Sequence, residues 1–152
     1  MRLWHYKLIP VLPRKQLLSQ WRELCCIIRN IAVYGSPNHL LVNKVMSSSG
    51  DFYAYTGMVL KEFEKRGYKI NEKALSDYNK YYKRALERNM FKTNATHFNI
   101  FPYWHNDRYL VQCFCNLQEK YDCGGITVGE WHNILSLLHA DNLVNGLCYS
   151  EV

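Results

Sequence analysis

The sequence predicts an all-α protein: a compact single-domain bundle of about five helices with long irregular connections. Three observations point there. Apolar residues recur at helical spacing, most clearly Leu17, Leu18, Trp21, Leu24, Cys25 and Ile28. Helix start and stop signals bracket the periodic stretches. The composition, 48% hydrophobic and 21% charged with only 8 Gly and 4 Pro in 152 residues, suits one globular domain able to bury a core without metal or disulfide staples.

The elements follow in order. Residues 11–30, "VLPRKQLLSQWRELCCIIRN", read as a first helix with Pro13 at an early position. The next twenty residues are broken by Gly, Ser-Pro and Ser-Ser-Ser-Gly, so they read as loop with a short element around 40–46. A second helix is expected over about 52–65, stopped by Gly67 after basic residues. A third lies within 71–89, capped by Asn71 and rich in Lys, Arg and Tyr. A loop spans 91–103 around Pro102. Residues 106–121 and 127–142 read as two more helices, the last opened by Thr127 and Glu130 at capping-box spacing.

Charge is distributed unevenly. Residues 1–30 hold six Lys/Arg against Glu23, residues 31–60 balance, and residues 61–92 hold ten Lys/Arg against five acids. Residues 93–152 reverse the sign, with two bases and six acids. A polyanion on one side of the molecule fits this asymmetry, and so does a solubilising surface. No stretch approaches the roughly 18 apolar residues of a membrane span, and no apolar core follows the basic N-terminus as in a signal peptide, so a cytoplasmic location is expected. Six cysteines without a secretory signal should be reduced, and none forms a C-x-x-C pair. No metal is expected, and the thiols read as small buried apolar groups.

The first helix raises a chemical question. On a wheel of about 100° per residue its apolar stripe centres near Trp21 and Ile28, which puts Glu23 about 150° away and Arg22 about 110° away. Lys15, Arg22 and Arg29, seven apart, stack as a basic row, with Ser19 and Cys26 between the row and Glu23. Glu23 either balances surface cations, worth a few tenths of a kcal/mol, or works beside phosphates that those cations hold. An acid repels a polyanion, so it is a costly choice for a face that only binds. A catalytic carboxylate needs a nucleophile. The chain has no Gly-x-Ser-x-Gly elbow, no Gly-rich phosphate loop and no Asp cluster for Mg²⁺. An α-amino group is a default candidate, since its reference pKa of about 7.7–8.0 leaves a neutral fraction at pH 7.

These residues carry a resemblance. "MR" opens the chain, "WREL" stands at 21–24 and "KRGYKI" at 65–70; His39 precedes an apolar stretch, and Pro102 and His105 lead into a helix ending "LQEK". In this the chain resembles the pyrimidine-dimer DNA glycosylase and AP lyase family of the phage endonuclease V-like type, and most closely a bacterial branch of it. The resemblance covers about residues 1–121. It implies a compact all-α DNA-repair enzyme acting on damaged pyrimidines in double-stranded DNA, monomeric and without metal or organic cofactor. It also implies the roles: the Met1 amine forms an imine with the sugar, Glu23 stabilises the cationic sugar and assists proton transfer, and Arg2 and Arg22 contact phosphates. Arg14, Lys15 and Arg29 are added as DNA contacts from the helical wheel. The alternative is a catalytically silent nucleic-acid-binding module of the same fold.

The chain also departs from the family pattern. The bulky Arg2 should block removal of Met1, and Cys26 stands where the family carries an Arg. Residues 122–152 form an addition, expected as an acidic helix packed on the 1–121 domain. Three further features stay open between structure and function. Tyr78, Tyr81 and Tyr82, interleaved with Lys80, Lys83 and Arg84, read as half-buried or as a base-stacking platform. "FPYWH" (101–105) reads as a loop anchor or a wedge, and His39 and His105 as hydrogen-bonded structural residues or catalysts.

Overall fold

The computed structural model describes residues 1–140. Over these it is all-helical, with five α-helices, two 3-10 helices and no strand: η1 (Tyr6–Val11), α1 (Arg14–Tyr34), η2 (Leu40–Ser47), α2 (Ser49–Lys65), α3 (Glu72–Glu87), α4 (Asp107–Asp122) and α5 (Val128–Ala140). The expected count of about five is therefore two short. Both further elements are 3-10 helices: η2 is the short element expected around 40–46, whereas η1 winds too tightly to give a 3.6-residue period to read. In η2, Val42 and Val45 are the buried residues, three apart as a 3-10 turn requires.

α1 is the central element, packed on α3 and α2. It runs past residue 30 because Ile31 and Ala32 continue its buried face, and it ends where Gly35 enters the left-handed region at φ 76. Its buried residues are Leu17, Gln20, Trp21, Leu24, Ile27, Ile28, Ile31 and Ala32. Phe52, Tyr55, Val59 and Phe63 of α2 and Tyr78 and Ala85 of α3 complete the core around it.

Polar side chains close the helix ends. Ser48 caps α2, Asn71 caps α3 and Asn106 caps α4, each accepting from a backbone N–H in the first turn. α2 ends in a Schellman turn, with Gly67 N–H donating to Glu64 and Tyr68 N–H to Phe63. The capping box of α5 forms, Thr127 N–H donating to Glu130 Oε2 at 3.0 Å and Glu130 N–H to Thr127 Oγ1 at 3.3 Å. The other oxygen of Glu130 accepts from Arg14 N–H at 3.0 Å, so one carboxylate serves the first turns of both α1 and α5. Burial would raise the Glu130 pKa, but the amides of Thr127 and Arg14 hold it below its ordinary value. Trp131 of α5 stacks on Phe114 and Tyr121 of α4. Residues 141–152, the remainder of the expected acidic extension, lie outside the described residues.

The Ser-Ser-Ser-Gly stretch, expected as loop, instead opens α2, because its polar groups are spent on the 93–97 segment. Ser49 N–H donates to Thr93 O at 3.0 Å and Ser49 Oγ to Asn94 Oδ1 at 2.7 Å, and Ser48 Oγ bonds Ala95 O. The buried Asp51 carboxylate accepts from His97 N–H, Phe101 N–H and the His97 ring. The close approach needs a glycine: a Cβ on Gly50 would meet Ala95 O at 2.5 Å. Gly50→Ala is therefore expected to lower unfolding free energy by about 1–3 kcal/mol through overpacking. Urea denaturation checks this, and an unchanged midpoint would show that the 93–97 segment gives way freely.

Candidate active site

The site is built on a buried extended segment. Leu3, Trp4 and His5 are buried, yet residues 1–5 have no strand to pair with, so side chains must satisfy their backbone groups. Gln20 of α1 supplies two of those bonds: its Oε1 accepts from Trp4 N–H at 2.9 Å and its Nε2 donates to Arg2 O at 3.0 Å. Tyr55 O–H of α2 donates to Trp4 O at 2.7 Å, with Gln20 Oε1 at 2.9 Å. Tyr109 O–H of α4 donates to Leu3 O at 2.5 Å. One helical turn past Gln20, Glu23 Oε2 accepts from Arg2 N–H at 2.7 Å. The segment thus runs antiparallel to α1, with residue 4 beside Gln20 and residue 2 reaching Glu23.

This geometry brings two of the expected residues together. Only Met1 Cα and its carbonyl carbon separate the Met1 nitrogen from the amide that the Glu23 carboxylate accepts. Met1 is exposed and Glu23 half-buried. Arg2 joins them: its Nη2 donates to Asn116 Oδ1 of α4 at 3.3 Å, and its guanidinium lies over the Trp4 ring, 5.4 Å from the centroid.

The basic row lies elsewhere than the wheel placed it. Because Gln20, Ile27 and Ile31 are also buried, the core face centres on Leu24 rather than between Trp21 and Ile28. At about 100° per residue, Glu23 then sits about 100° from the core centre, on the flank taken by the N-terminal segment, and Arg22 about 160° away. Lys15, Arg22 and Arg29 are exposed on the side opposite the core, with Arg22 Nη2 donating to Ser19 Oγ at 3.4 Å. Arg14 is on the other flank and at the other end of α1, its guanidinium over Tyr68 and its amide on Glu130. It is not brought to Glu23.

Gln20, Tyr55, Tyr109 and Asn116 were not anticipated. Gln20 alone carried a signal, being a polar residue at the spacing of Leu24, Ile27 and Ile31. The floor beneath the segment is aromatic: the rings of His5 and His105 stack at 5.1 Å, ringed by Tyr6, Trp104 and Tyr109. His105 Nδ1 accepts from Tyr6 N–H at 3.1 Å, which leaves the ring proton on Nε2, buried without an acceptor. Burial lowers the His5 pKa to about 4, and burial together with His5 lowers that of His105 to about 2. His105 is thus a hydrogen-bonded structural residue as expected, whereas His39 leaves a buried Nδ1 without a partner.

The remaining open features divide. Tyr78 is buried and shares a hydrogen bond with Thr56 at 2.7 Å, while Tyr81 and Tyr82 are half-buried and Tyr82 O–H donates to Ser49 O. Phe101, Trp104 and His105 anchor the loop, with Pro102 and Tyr103 exposed. The thiols do not behave alike: Cys113 is buried and Cys25 half-buried, its pKa pushed up to about 11 by burial, but Cys26, Cys115 and Cys123 are exposed. Helix packing, not thiol hydrophobicity, decides which face each occupies. Among the described residues, no three His, Cys, Asp or Glu converge where a metal ion could be held. No described helix is long and apolar enough to cross a membrane.

Two predictions follow from this geometry. Gln20→Leu leaves Trp4 N–H and Arg2 O without their partner and is expected to cost about 2–4 kcal/mol in urea unfolding; a loss under about 0.5 kcal/mol would show that the carboxamide does not hold the segment. The histidine pair makes stability depend on pH. Unfolded, each ring takes up a proton near about pH 6.5, while the folded chain keeps both neutral well below that. Stability is therefore full above about pH 6.5 and falls as the pH drops toward 4, with a slope of up to about 1.4 kcal/mol per pH unit for each ring. A flat unfolding free energy from pH 7.5 to 4.5 would contradict this.

A family model described as pyrimidine dimer DNA glycosylase matches residues 1–76, half of the chain. The match takes in the N-terminal segment, α1 with Gln20 and Glu23, η2, α2 with Tyr55, and the start of α3. No curated protein and no solved structure matches. On that half-chain match, which includes the segment and the carboxylate held beside its first residues, the protein belongs to the pyrimidine dimer DNA glycosylase family.

Proposed function

We propose that the chain removes damaged pyrimidines from double-stranded DNA and then nicks the strand as an AP lyase, using the Met1 amine and the Glu23 carboxylate. The observation that carries this reading is the 2.7 Å hydrogen bond from Arg2 N–H to Glu23 Oε2, which holds an ionisable carboxylate beside the start of the chain. With Met1 as the first residue of the working protein, its neutral amine attacks C1′ of the damaged nucleotide. A nitrogen–carbon bond forms as the glycosidic bond breaks, and the base leaves with the bonding pair. Loss of one of the two amine protons, and opening of the sugar ring as its oxygen takes up a proton, give a protonated imine. The imine makes the C2′ hydrogen acidic; its removal expels the 3′ phosphate by β-elimination and cuts the strand. No metal or organic cofactor enters these steps.

Glu23 suits two tasks here. As an anion it stabilises the cationic sugar, and within reach of the amine it relays protons between nitrogen, ring oxygen and solvent. Arg2 and Arg22 flank it, and with Lys15 and Arg29 they provide a cationic surface for phosphates. Arg14 has a weaker claim, being committed to Tyr68 on the opposite flank. The held position of Arg2 supports a built site: a guanidinium kept only for solubility needs neither Asn116 nor Trp4. As a monomer with this surface, the protein should bind duplex DNA with strong salt dependence.

Borohydride reduction tests the chemistry. Mixed with duplex DNA carrying an abasic site or a cyclobutane pyrimidine dimer, the protein is expected to give a covalent adduct that maps to Met1. Glu23→Gln keeps an acceptor for Arg2 N–H, so the segment stays in place, yet nicking is expected to fall by at least about 10²-fold with DNA binding equal or tighter. Failure to form an adduct, from folded protein whose N-terminus is verified, would overturn the lyase reading and leave a silent DNA-binding module.

A further inference from the structure

α4, which holds the N-terminal segment, also borders a second feature that the proposed chemistry does not use. Leu40 and Leu41, at the start of η2, are 88% and 58% exposed. Their position is imposed by the fold. Asn38 turns the chain with φ 56, and the 3-10 period then buries Val42 and Val45 while directing Leu40, Leu41 and Lys44 outward. Opposite them stands α4, with Arg108, Tyr109 and Gln112. The two walls enclose a cleft of about 300 Å³ whose lining includes no Asp or Glu.

Hydrogen bonds made by α4 link the cleft to the Met1–Glu23 site. Tyr109, on its floor, donates to the carbonyl of Leu3. Gln112 offers its own carbonyl to Asn116, and Asn116 holds the Arg2 guanidinium. Arg108, Gln112 and Asn116 are spaced four apart, on one face of α4. From Asn116 to Arg108 the helix rises about 12 Å, which matches about three to four steps of a duplex at about 3.4 Å each. A duplex that lies along α4 from Arg2 and Glu23 would extend over the cleft.

We infer that Leu40 and Leu41 form an apolar wedge that enters the base stack a few steps from the lesion, with Lys44 and Arg108 on the flanking phosphates. This rests on the proposed action on double-stranded DNA and adds to it the device that opens the duplex. Two neighbouring leucines set between cations, with no carboxylate in the cleft, match a polyanion with an apolar interior. A protein partner that covered the leucines would have to desolvate Lys44 and Arg108 as well. Chemistry at a nucleotide within a straight, stacked duplex requires that the stack be opened, so something must unstack it. A single strand needs no such help.

The test uses the full chain and its Leu40→Ser/Leu41→Ser variant, whose melting temperature should be unchanged because both side chains are exposed. Each protein is given the same abasic oligonucleotide as a single strand and as a duplex with 2-aminopurine beside the site. Borohydride trapping on the single strand is expected to stay within about twofold of the parent, while trapping on the duplex falls by about tenfold or more and the 2-aminopurine fluorescence rise is lost. Equal duplex trapping with an equal fluorescence rise would overturn the wedge. So would a variant that changes only self-association in sedimentation, since the leucines would then serve a second copy. If the parent traps neither DNA, the imine chemistry fails instead, and the 2-aminopurine signal still reports on the wedge.

Discussion

The structure depends on how a short N-terminal segment, buried at Leu3, Trp4 and His5, is held without a sheet. Backbone donors and acceptors removed from water must be paired, and each one left unpaired costs about 1–3 kcal/mol. Here most of the pairing comes from side chains on three helices, Gln20 and Glu23 from α1, Tyr55 from α2 and Tyr109 from α4, while the His5 carbonyl accepts from Leu8 N–H of η1. Each of these helices is thereby referenced to the same short segment. Their relative positions are set by hydrogen bonds of fixed length as well as by apolar packing, which alone tolerates sliding.

The same arrangement connects stability to the site. Gln20 is fully buried and polar, an expensive placement unless every bond is made. Its bonds make the position of Arg2 N–H, and so the approach of Glu23 to the first residue, a consequence of core formation. Beneath it, the stacked neutral pair of His5 and His105 adds rigidity, with Tyr6 N–H held on His105. Glu23 is thus placed beside the first residues by the core rather than by the motion of a surface side chain.

The cations fall into two populations that net charge does not distinguish. Arg66 pairs with Glu62 and donates to the carbonyls of Leu12 and Pro10, closing η1 against α2. Arg88 donates to Ala32 O near the C-terminal end of α1. These serve the fold. Lys15, Arg22 and Arg29 stand on the outer face of α1, open to solvent, and Arg2 is held at the site itself. The positive charge of residues 61–92 thus overstates what that segment offers a polyanion, whereas the outer face of α1 offers what its sequence advertises.

The sequence by itself determined the local structure: the helical class, the caps at Asn71 and Asn106, the Gly67 stop and the Thr127–Glu130 box, all of which arise from contacts within five residues. "MR" and "WREL" also carried the family resemblance and named Met1, Arg2, Arg22 and Glu23. What only the tertiary structure decided was the direction each side chain serves. The wheel of α1 misplaced Glu23 because its stripe left out Gln20, Ile27 and Ile31, all buried; a carboxamide belongs in a core when buried backbone needs it. The Ser-Ser-Ser-Gly stretch became helix because the 93–97 segment, over forty residues away, supplied partners for its serines. Tyr55, Tyr109 and Asn116 carried no local signal, since the bonds that tie them to the segment reach Trp4, Leu3 and Arg2, more than fifty positions away. Periodicity records which face of a helix is buried, but not against what, and the site is made of that second kind of information.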